Sequence, residues 1–454
     1  MRRLIATTTL VLVAALAAGA PASAAGEAAS GEAYVPGELL VRFESGAERL
    51  IELPAGVAVE EAADALAGNA SVDYALPNYV AHASSVPNDP GLGSTPGDWR
   101  RTQWNFLPCG SLCAPGGAIP ALEFQARGGL NAIDAWTVLK QRRATGGKGA
   151  IVAVLDTGVA FRNKKPGFLK SPDFSRSQFL PGFDFIRRKS APLDRDGHGT
   201  HVTGTIAERN GNGVAVTGLV PRAKIIPVRV LDAQGLGTAR DISAGIRFAA
   251  KHGADVINMS FEFSLAVDGC GKIKSVCSAA KFAAKRGSLL TAAAGNSNGE
   301  PVAFPAAAPK VVGVGRTTKD ACLATLSRTG NGLDLVAPGG GVPALPSCGS
   351  DDSLFSRGVP IFQLTFDGPG FRTFGYPGFY EGTSMATAHV SGVAAMVVVS
   401  RVLGPNPSPA AIECQLKATA RHANEQLGQP YDARLFGAGL VDAAAAVTSR
   451  APGC

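Results

Sequence analysis

From Val86 onward, short runs of branched apolar residues alternate with segments of helical periodicity, and this alternation restricts the fold more than any other feature. Strands buried on both faces appear in a sequence as continuous apolar runs, whereas helices show a repeat near 3.6 residues. Such alternation predicts an α/β fold of three layers, with a central parallel sheet and helices on both faces. The predicted strands are Ile151–Leu155, Lys224–Leu231, Asp255–Met259, Leu289–Ala293 and Lys310–Val314, and the clearest helices are Ala239–His252 and Ser275–Lys285.

The first 24 residues have the pattern of a secretory signal peptide. Two arginines follow Met1, the apolar run Leu10–Ala18 comes next, and the small residues Ala22-Ser-Ala24 suit signal peptidase. The apolar run is too short for a permanent membrane span. We therefore predict that the chain is exported and that residues 1–24 are absent from the mature fold.

Residues 25–85 differ in charge from the remainder of the chain. They contain ten acidic and two basic residues, whereas residues 86–454 contain 39 Lys and Arg against 26 Asp and Glu. The segment is predicted to form a small α+β unit with strands Glu38–Phe43 and Val72–Ala83 around a helix, Val59–Leu66. It is too small for a robust core of its own and is expected to need a partner surface.

The basic residues of the larger segment are scattered, without interleaved aromatic residues. We therefore expect a solvated basic surface, to which the acidic segment is attracted, and neither a nucleic-acid nor a membrane partner. The mature protein is expected to be a monomer.

Eight cysteines in an exported chain predict disulfides. They fall into four neighbouring pairs, Cys109/Cys113, Cys270/Cys277, Cys322/Cys348 and Cys414/Cys454. Neighbour pairing is the simplest of the 105 connectivities that eight cysteines allow. A zinc site is disfavoured because the sequence has no C-x₂-C pair and no His-rich partner.

Three short motifs contain the residue types of nucleophilic catalysis. Asp156 ends a predicted strand, His198 lies between two glycines before a helix, and Ser384 precedes the apolar helix Val390–Val402. Each residue has a simpler interpretation when it is taken alone: a strand-end cap for Asp156, a helix N-cap for Ser384, and a metal site for His198 together with His201. The zincin interpretation is disfavoured because the two histidines are three residues apart with Gly199 and Thr200 between them. His201 is therefore predicted to be a packed structural residue.

Taken together, the order Asp156, His198, Ser384 and the flanking residues resemble the subtilisin-like serine peptidases, or subtilases. The resemblance covers nearly all of Val86–Thr448 and includes Val256-Ile-Asn-Met-Ser260 and Ala293-Ala-Gly-Asn296. It implies that Ser384 is the nucleophile, His198 the general base and acid, and Asp156 the residue that orients the imidazole. It also implies that the Asn296 amide helps to bind the oxyanion.

The resemblance further implies a peptide-binding cleft between two extended segments. The matching segments are Gly235-Leu236-Gly237 and Ser260-Phe261-Glu262, with Ala294 and Gly295 on the facing wall. Glu262 and Phe263 stand where the family usually has two glycines. Glu262 then either narrows the pocket or brings a carboxylate near the substrate side chain, or it faces solvent on a changed loop. Ala388 replaces a proline of the family, and the stretches 106–128 and 341–380 are longer than usual; the second could line the cleft or form a lid.

Residues 25–85 resemble a subtilase propeptide, an intramolecular inhibitor and folding assistant that is removed near Ser84–Val86; a permanent N-terminal domain is the alternative. Pro87-Asn-Asp89-Pro resembles the start of thermitase-type mature chains, in which a structural Ca²⁺ is bound. The matching ligands would be Asp89, Asp173 and Asn210, with carbonyls of the loop Arg209–Val214. Catalysis itself is expected to need no cofactor.

The sequence therefore predicts a secreted serine endopeptidase of polypeptide substrates, activated by autocatalytic removal of the propeptide. The alternative that is not an enzyme is a protein of the same fold that binds peptides without cleaving them. Such a protein would be expected to lack a triad or oxyanion residue, whereas all four are present here. A peptide ligase on the same fold would require a cleft that shields the acyl-enzyme from water.

Overall fold

A computed structural model describes residues 34–79, 87–110, 124–344, 348, 358–368, 370–422 and 430–454. The predicted signal peptide, residues 1–24, and the predicted cleavage point near Ser84–Val86 lie outside these residues, as do parts of both long stretches, 106–128 and 341–380. The chain divides into two compact units, Met1–Ser84 and Ser85–Cys454, which are described separately below.

The first unit is a three-stranded antiparallel sheet with one helix against it. The sheet order is β2-β1-β3, and its elements are β1 (Tyr34–Phe43), β2 (Glu48–Glu52), α1 (Val59–Ala67) and β3 (Val72–Tyr79). Leu39 and Val41 share one face of the central strand and are fully buried in a small apolar cluster with Val59 and Leu66 of α1. Sequence analysis missed β2, because its largely exposed sequence Glu-Arg-Leu-Ile-Glu lacks the alternation of a half-buried strand.

The second unit is built on a seven-stranded sheet in which every neighbouring pair is parallel. The strand order is β10-β9-β8-β7-β4-β6-β5. The strands are β4 (Ile151–Asp156), β5 (Phe183–Asp184), β6 (Lys224–Arg229), β7 (Val256–Met259), β8 (Leu289–Ala293), β9 (Val311–Thr317) and β10 (Leu335–Pro338). A hairpin of β11 (Thr365–Phe366) and β12 (Phe374–Gly375) lies outside this sheet.

Helices follow the strands in the order that the sequence predicts, and the α/β fold class is confirmed. They are α2 (Trp99–Thr102), α3 (Ala132–Gln141), α4 (His198–Ala207), α5 (Ala239–Lys251), α6 (Lys274–Lys285), α7 (Thr383–Ser400), α8 (Pro409–Ala418), α9 (Ala433–Phe436) and α10 (Ala443–Thr448). Two apolar clusters, one built around α7 and the other around α5 and α6, form the core.

Helix α7 is the apolar centre of the first cluster. It begins at Thr383, seven residues before the start that the sequence predicted, so Ser384 lies inside its first turn. Among the described residues it is the one helix long and apolar enough to cross a membrane, and 89% of it is buried in the protein. It is therefore a core helix, whose N-terminus lies at the end of the chain's longest insertion.

Disulfides fix three loops of the second unit. They join Cys270 to Cys277, Cys322 to Cys348 and Cys414 to Cys454, as neighbour pairing predicted. Cys109 is also disulfide-bonded, and the predicted partner Cys113 lies outside the described residues.

Candidate active site

The three motifs and the Asn296 segment meet because of the strand order. Strands β4, β7 and β8 are consecutive neighbours in the sheet, so their carboxyl ends lie side by side. Asp156 is the last residue of β4, Ser260 follows β7, and Asn296 follows β8. In open α/β sheets, ligands bind at the carboxyl ends of the strands where the strand order reverses, and here the order reverses at β4.

A buried carboxylate orients the histidine. Asp156 is fully buried, and its Oδ1 accepts a hydrogen bond of 2.8 Å from His198 Nδ1 and another of 2.7 Å from the Thr157 backbone N–H. The bond from His198 fixes the tautomer, leaving Nε2 as the nitrogen that is free to accept a proton. The His198 side chain is 24% exposed, so the ring is accessible from the cleft while its partner is not.

Glycines let the two motifs approach each other. A Cβ on Gly199 would lie 2.2 Å from the Gly158 carbonyl oxygen, and Gly158 itself has φ +112°. A side chain at either position would therefore separate Asp156 from His198.

Asp194 is a positioning residue that sequence analysis missed. Its buried carboxylate accepts hydrogen bonds from the Thr157 hydroxyl (2.8 Å), the Gly197 backbone N–H (3.1 Å) and the Thr200 backbone N–H (2.9 Å). It thereby ties the end of β4 to the first turn of α4, where His198 lies. The signal in the sequence was an acid shortly before the helix that begins at His198, although not at its N-cap position, which is Gly197.

The surroundings of His198 favour its protonated form. Burial lowers the pKa of the imidazole, but the charge of Asp156 and its hydrogen bond, with smaller contributions from Asp196 and Asp194, raise the pKa to about 8. The ring thus binds a proton more tightly than an ordinary histidine does, and it becomes neutral only in mildly alkaline solution.

Ser384 is the second residue of α7 and is 8% exposed. Its hydroxyl donates to the Ser260 carbonyl oxygen at 3.0 Å, while the Ser260 hydroxyl donates to the Ser384 carbonyl oxygen at 2.8 Å. This reciprocal pair attaches the start of α7 to the end of β7. The serine hydroxyl therefore donates to a backbone carbonyl and not to His198, and a productive contact with the imidazole would require it to rotate.

The Asn296 side chain is fixed at the N-terminus of α7. Its Oδ1 accepts from the Thr383 backbone N–H at 2.9 Å and from the Thr383 hydroxyl at 3.2 Å. Because the oxygen is engaged, the amide Nδ2 is left as a donor without a partner among the described residues. A helix N-terminus and an oriented amide together favour a developing negative charge.

These elements border a cavity of about 350 Å³, which we call the first cavity. Of the sequence-predicted binding residues, Gly235, Ser260, Phe261 and Glu262 line it, together with His198 and Asn296. Leu236 is 68% exposed beside it, and Gly237 is packed against the Val230 carbonyl.

On the facing wall, Ala294 is fully buried in the core and Gly295 is enclosed between neighbouring side chains. Ala293 lines the cavity instead, with Thr157, Asp196 and Leu231, none of which sequence analysis identified as binding residues. Successive side chains of an extended segment point to opposite faces, so neighbouring alanines do not both face the cleft. The apolar run in the sequence does not show on which face each alanine lies.

A second cavity of about 500 Å³ shares His198 and Asp196 with the first. Its other walls come from the stretch 358–380, mainly through the aromatic residues Phe366, Phe371, Phe379 and Tyr380. The insertion that precedes Ser384 therefore lines the region beside His198, as sequence analysis suggested it could.

The remaining histidines near the site are structural. His201 and His389 are fully buried, and burial lowers the pKa of each to about 3. His201 Nε2 bonds the Ile361 carbonyl at 2.9 Å, and His389 bonds Met385 and Asn105. In the described part of the chain, no three His, Cys, Asp or Glu side chains are arranged to bind a metal by themselves.

The predicted calcium ligands are only partly brought together. Asp89 and Asp173 are both fully buried beside the loop of residues 208–216, and the backbone N–H groups of Gly211, Asn212 and Gly213 donate to Asp89. Asn212 contacts Asp173, with Nδ2 at 2.8 Å from Oδ1, whereas the Asn210 side chain makes no hydrogen bond among the described residues.

Glu208 is a further acid at this place that the sequence did not reveal. It is fully buried, and its Oε2 and the Asp173 Oδ2 are both without a hydrogen-bond partner. Burial, together with the charge of Asp89, raises the pKa of Asp173 to about 8, and burial and the charge of Asp173 raise that of Glu208. The donor set of carboxylate, amide and carbonyl oxygens suits a hard cation such as Ca²⁺.

Comparison with known proteins agrees with this architecture. Residues 147–439 match the subtilase family (peptidase S8). The chain is 30% identical over 389 residues to a thermophilic serine proteinase of Bacillus sp. (strain AK1), covering 80% of this chain and 78% of that protein. It is 35% identical over 318 residues to the alkaline elastase of Bacillus sp. (strain YaB), covering 70% and 69%.

A solved protease structure from Pseudoalteromonas arctica PAMC 21717 superposes with a TM-score of 0.58 at 30% identity, covering 80% of this chain and 99% of that one. The matched residues include β4, α4, β7, β8 and the start of α7, which hold the residues described above. The chain belongs to the subtilase family of serine peptidases.

Proposed function

We propose that the mature chain is a secreted serine endopeptidase in which Ser384, His198 and Asp156 form the catalytic triad and Asn296 contributes to the oxyanion hole. The observation that carries the proposal is the 2.8 Å bond between His198 Nδ1 and the buried Asp156, beside a serine in the first turn of α7. A serine hydroxyl is a poor nucleophile until a base removes its proton, and a histidine oriented by a buried carboxylate is such a base.

The first half of the reaction forms an acyl-enzyme. Ser384 Oγ attacks the peptide carbonyl carbon while its proton passes to His198 Nε2, and the Asp156 carboxylate stabilises the imidazolium. The carbonyl oxygen becomes an oxyanion that accepts from the Asn296 Nδ2 and the Ser384 backbone N–H. The C–N bond then breaks, and His198 gives the proton to the leaving amine.

Water completes the cycle. His198, neutral again, takes a proton from a water molecule that attacks the acyl carbon. When the second tetrahedral intermediate collapses, the acyl–oxygen bond breaks, His198 returns the proton to Ser384 Oγ, and the carboxylic acid product is released. The same donors stabilise both intermediates. The contact of Asn296 Oδ1 with Thr383 supports this role, since it holds the amide in one orientation before substrate arrives.

The cleft is suited to an extended peptide. The segments that contain Gly235 and Ser260 both border the first cavity, and backbone groups of such segments bind a substrate strand with little sequence preference. The second cavity, which reaches His198 from the side of Tyr380, would receive residues of the leaving group.

The N-terminal segments support maturation after export. Residues 1–24 have the sequence of a signal peptide, and the disulfides fit an oxidising compartment. The acidic unit of residues 34–79 has the small α+β architecture expected of a propeptide. It would assist folding and, after cleavage near Ser84–Val86, leave its C-terminal strand in the cleft as a product-like inhibitor.

A structural Ca²⁺ is proposed at Asp89 and Asp173. Three buried carboxylates without an ion-pair partner in the described ranges, two of them with an unbonded oxygen, favour a divalent cation. Asp89, Asp173 and carbonyls of the loop 209–216 would hold the ion, with Glu208 adding negative charge. Because the ion would bind only the folded chain, it would stabilise the fold and take no part in the chemistry.

The proposed maturation is tested on the precursor. Purified wild-type precursor is expected to lose the segment up to about Ser85 and to digest casein, whereas the Ser384→Ala precursor stays intact and inert because it lacks the nucleophile. Intact-mass spectrometry measures processing, and circular dichroism confirms that the variant is folded. If the folded variant is processed like the wild type, the triad is not the agent of maturation.

The pH profile tests the base. Because His198 accepts a proton only when it is neutral, kcat/KM for an uncharged peptide should rise with pH through a midpoint of about 8. Asp196→Asn removes a charge that raises this pKa, so the midpoint should move to lower pH; the asparagine oxygen still accepts from the His198 backbone N–H. A profile that is flat from pH 6 to pH 9 would contradict the assignment of His198.

Calcium removal tests the cation site. Chelation is expected to lower the melting temperature by several degrees and excess Ca²⁺ to restore it, because ligand at about 100 times its Kd adds roughly 2.7 kcal/mol. Asp173→Asn should abolish the response, whereas Asp268→Asn, on an exposed carboxylate elsewhere, should leave it unchanged. An equal calcium response in wild type and Asp173→Asn would locate the ion elsewhere.

A further inference from the structure

Glu262 crosses the first cavity from one wall to the other. It follows β7, on the wall that contains Ser260, and its Oε1 accepts a 3.0 Å hydrogen bond from the Asn296 backbone N–H on the opposite wall. Its Oε2 lies over Gly295, where a Cβ would be only 2.4 Å away. The side chain is solvent-exposed, yet its carboxylate bridges the segments that contain Ser260 and Asn296, next to the amide proposed to bind the oxyanion.

The Asn296 wall cannot easily move away from this side chain. Behind Gly295 lies the stem of Arg328, whose Cδ would be 2.6 Å from a Cβ at that glycine. Arg328 is buried, and its guanidinium donates to the Pro301 carbonyl at 2.6 Å and to the Ser297 hydroxyl at 2.8 Å. Glu262 and a fixed arginine side chain thus both pack against Gly295, within reach of the position that a Cβ there would take.

The opposite wall is fixed as well. Ser260 is held by its reciprocal bonds to Ser384, and the Phe263 backbone N–H donates to the Phe304 carbonyl at 2.7 Å. Glu262 lies between these two anchored residues. A large substrate side chain could enter only by displacing the carboxylate from the Asn296 N–H, since neither wall can widen the space.

We infer that the Glu262 side chain partly fills the pocket for P1, the residue before the scissile bond. It thereby restricts P1 to small side chains such as Ala or Ser. This inference rests on the proposed function. The side chain of P1 must lie beside Asn296, because the carbonyl attacked by Ser384 belongs to the same residue. An alanine methyl needs little of the space that Glu262 fills, whereas a phenyl ring needs the space that the two glycines of the family would leave open.

The chain's own predicted cleavage region is independently consistent with small P1 residues. The sequence Ala81-His-Ala-Ser-Ser85 precedes the predicted processing point and contains four small residues and no large apolar one. A precursor that cuts itself there has to accept alanine or serine at P1.

A peptide panel that differs only at P1 tests the inference. For the wild type, kcat/KM is expected to be at least about tenfold higher with Ala than with Phe, the size of discrimination that pocket shape alone supplies. Glu262→Gly should raise kcat/KM for the Phe peptide at least about tenfold and change that for the Ala peptide much less. Glu262→Gln keeps the length of the side chain and an acceptor for the Asn296 N–H, so it should keep the preference for Ala.

The same panel separates the competing results. A preference for an Arg peptide that Glu262→Gln removes would overturn the inference in favour of charge recognition, and a wild type that cleaves Phe as well as Ala would overturn it outright. Asp268→Asn, at an exposed carboxylate that lines neither cavity, is the matched control for loss of a surface charge and should behave as wild type. The Ser384→Ala variant distinguishes failure of the proposed function from failure of the inference on Glu262. Hydrolysis that survives in this variant refutes the proposed function. Hydrolysis that requires Ser384 but favours the Phe peptide refutes only the role of Glu262.

Discussion

A fully buried carboxylate at the end of the central strand holds the site together. Asp156 is surrounded by the core of the second unit, and its Oδ1 is bonded by His198 and the Thr157 backbone N–H. A buried charge is costly unless it is paired and hydrogen-bonded. The surrounding glycines and Asp194 therefore have to keep His198 within reach, and much of the local sequence serves that contact. The same contact raises the pKa of the imidazole and orients Nε2 towards the cleft.

The parallel sheet brings the other participants to this point. Because β4, β7 and β8 are neighbours, residues far apart in the sequence leave the sheet at one edge, and Ser260 is bonded directly to Ser384 of α7. Helix α7 passes through the core, so the position of its N-terminus is set by packing along its whole length. Asn296 is bonded to that N-terminus through Thr383, which makes the amide, the serine and the helix one rigid unit.

The sequence predicted the parts whose signals are local. The five strands it identified are found in the second unit, and the three motifs were recognisable from their order and flanking residues, among them the glycines that let Asp156 and His198 approach each other. What it missed depends on contacts between distant segments. The direction of the Glu262 side chain is set by the Asn296 N–H, and the buried Glu208 was not recognisable in a polar stretch. Strand β2, polar and largely exposed, gave no pattern to find.

The claim at the centre of this account is that Ser384 and His198 act as one unit, and a double-mutant cycle tests it most directly. Residues that act together lose activity non-additively, so kcat of Ser384→Ala/His198→Ala should equal that of Ser384→Ala alone within about threefold. The folding of all three variants is checked by a method that does not depend on the active site, so that their rates can be compared. If the double variant is slower than the wild type by the product of the two single-variant losses, the two residues act independently and the proposed triad is wrong.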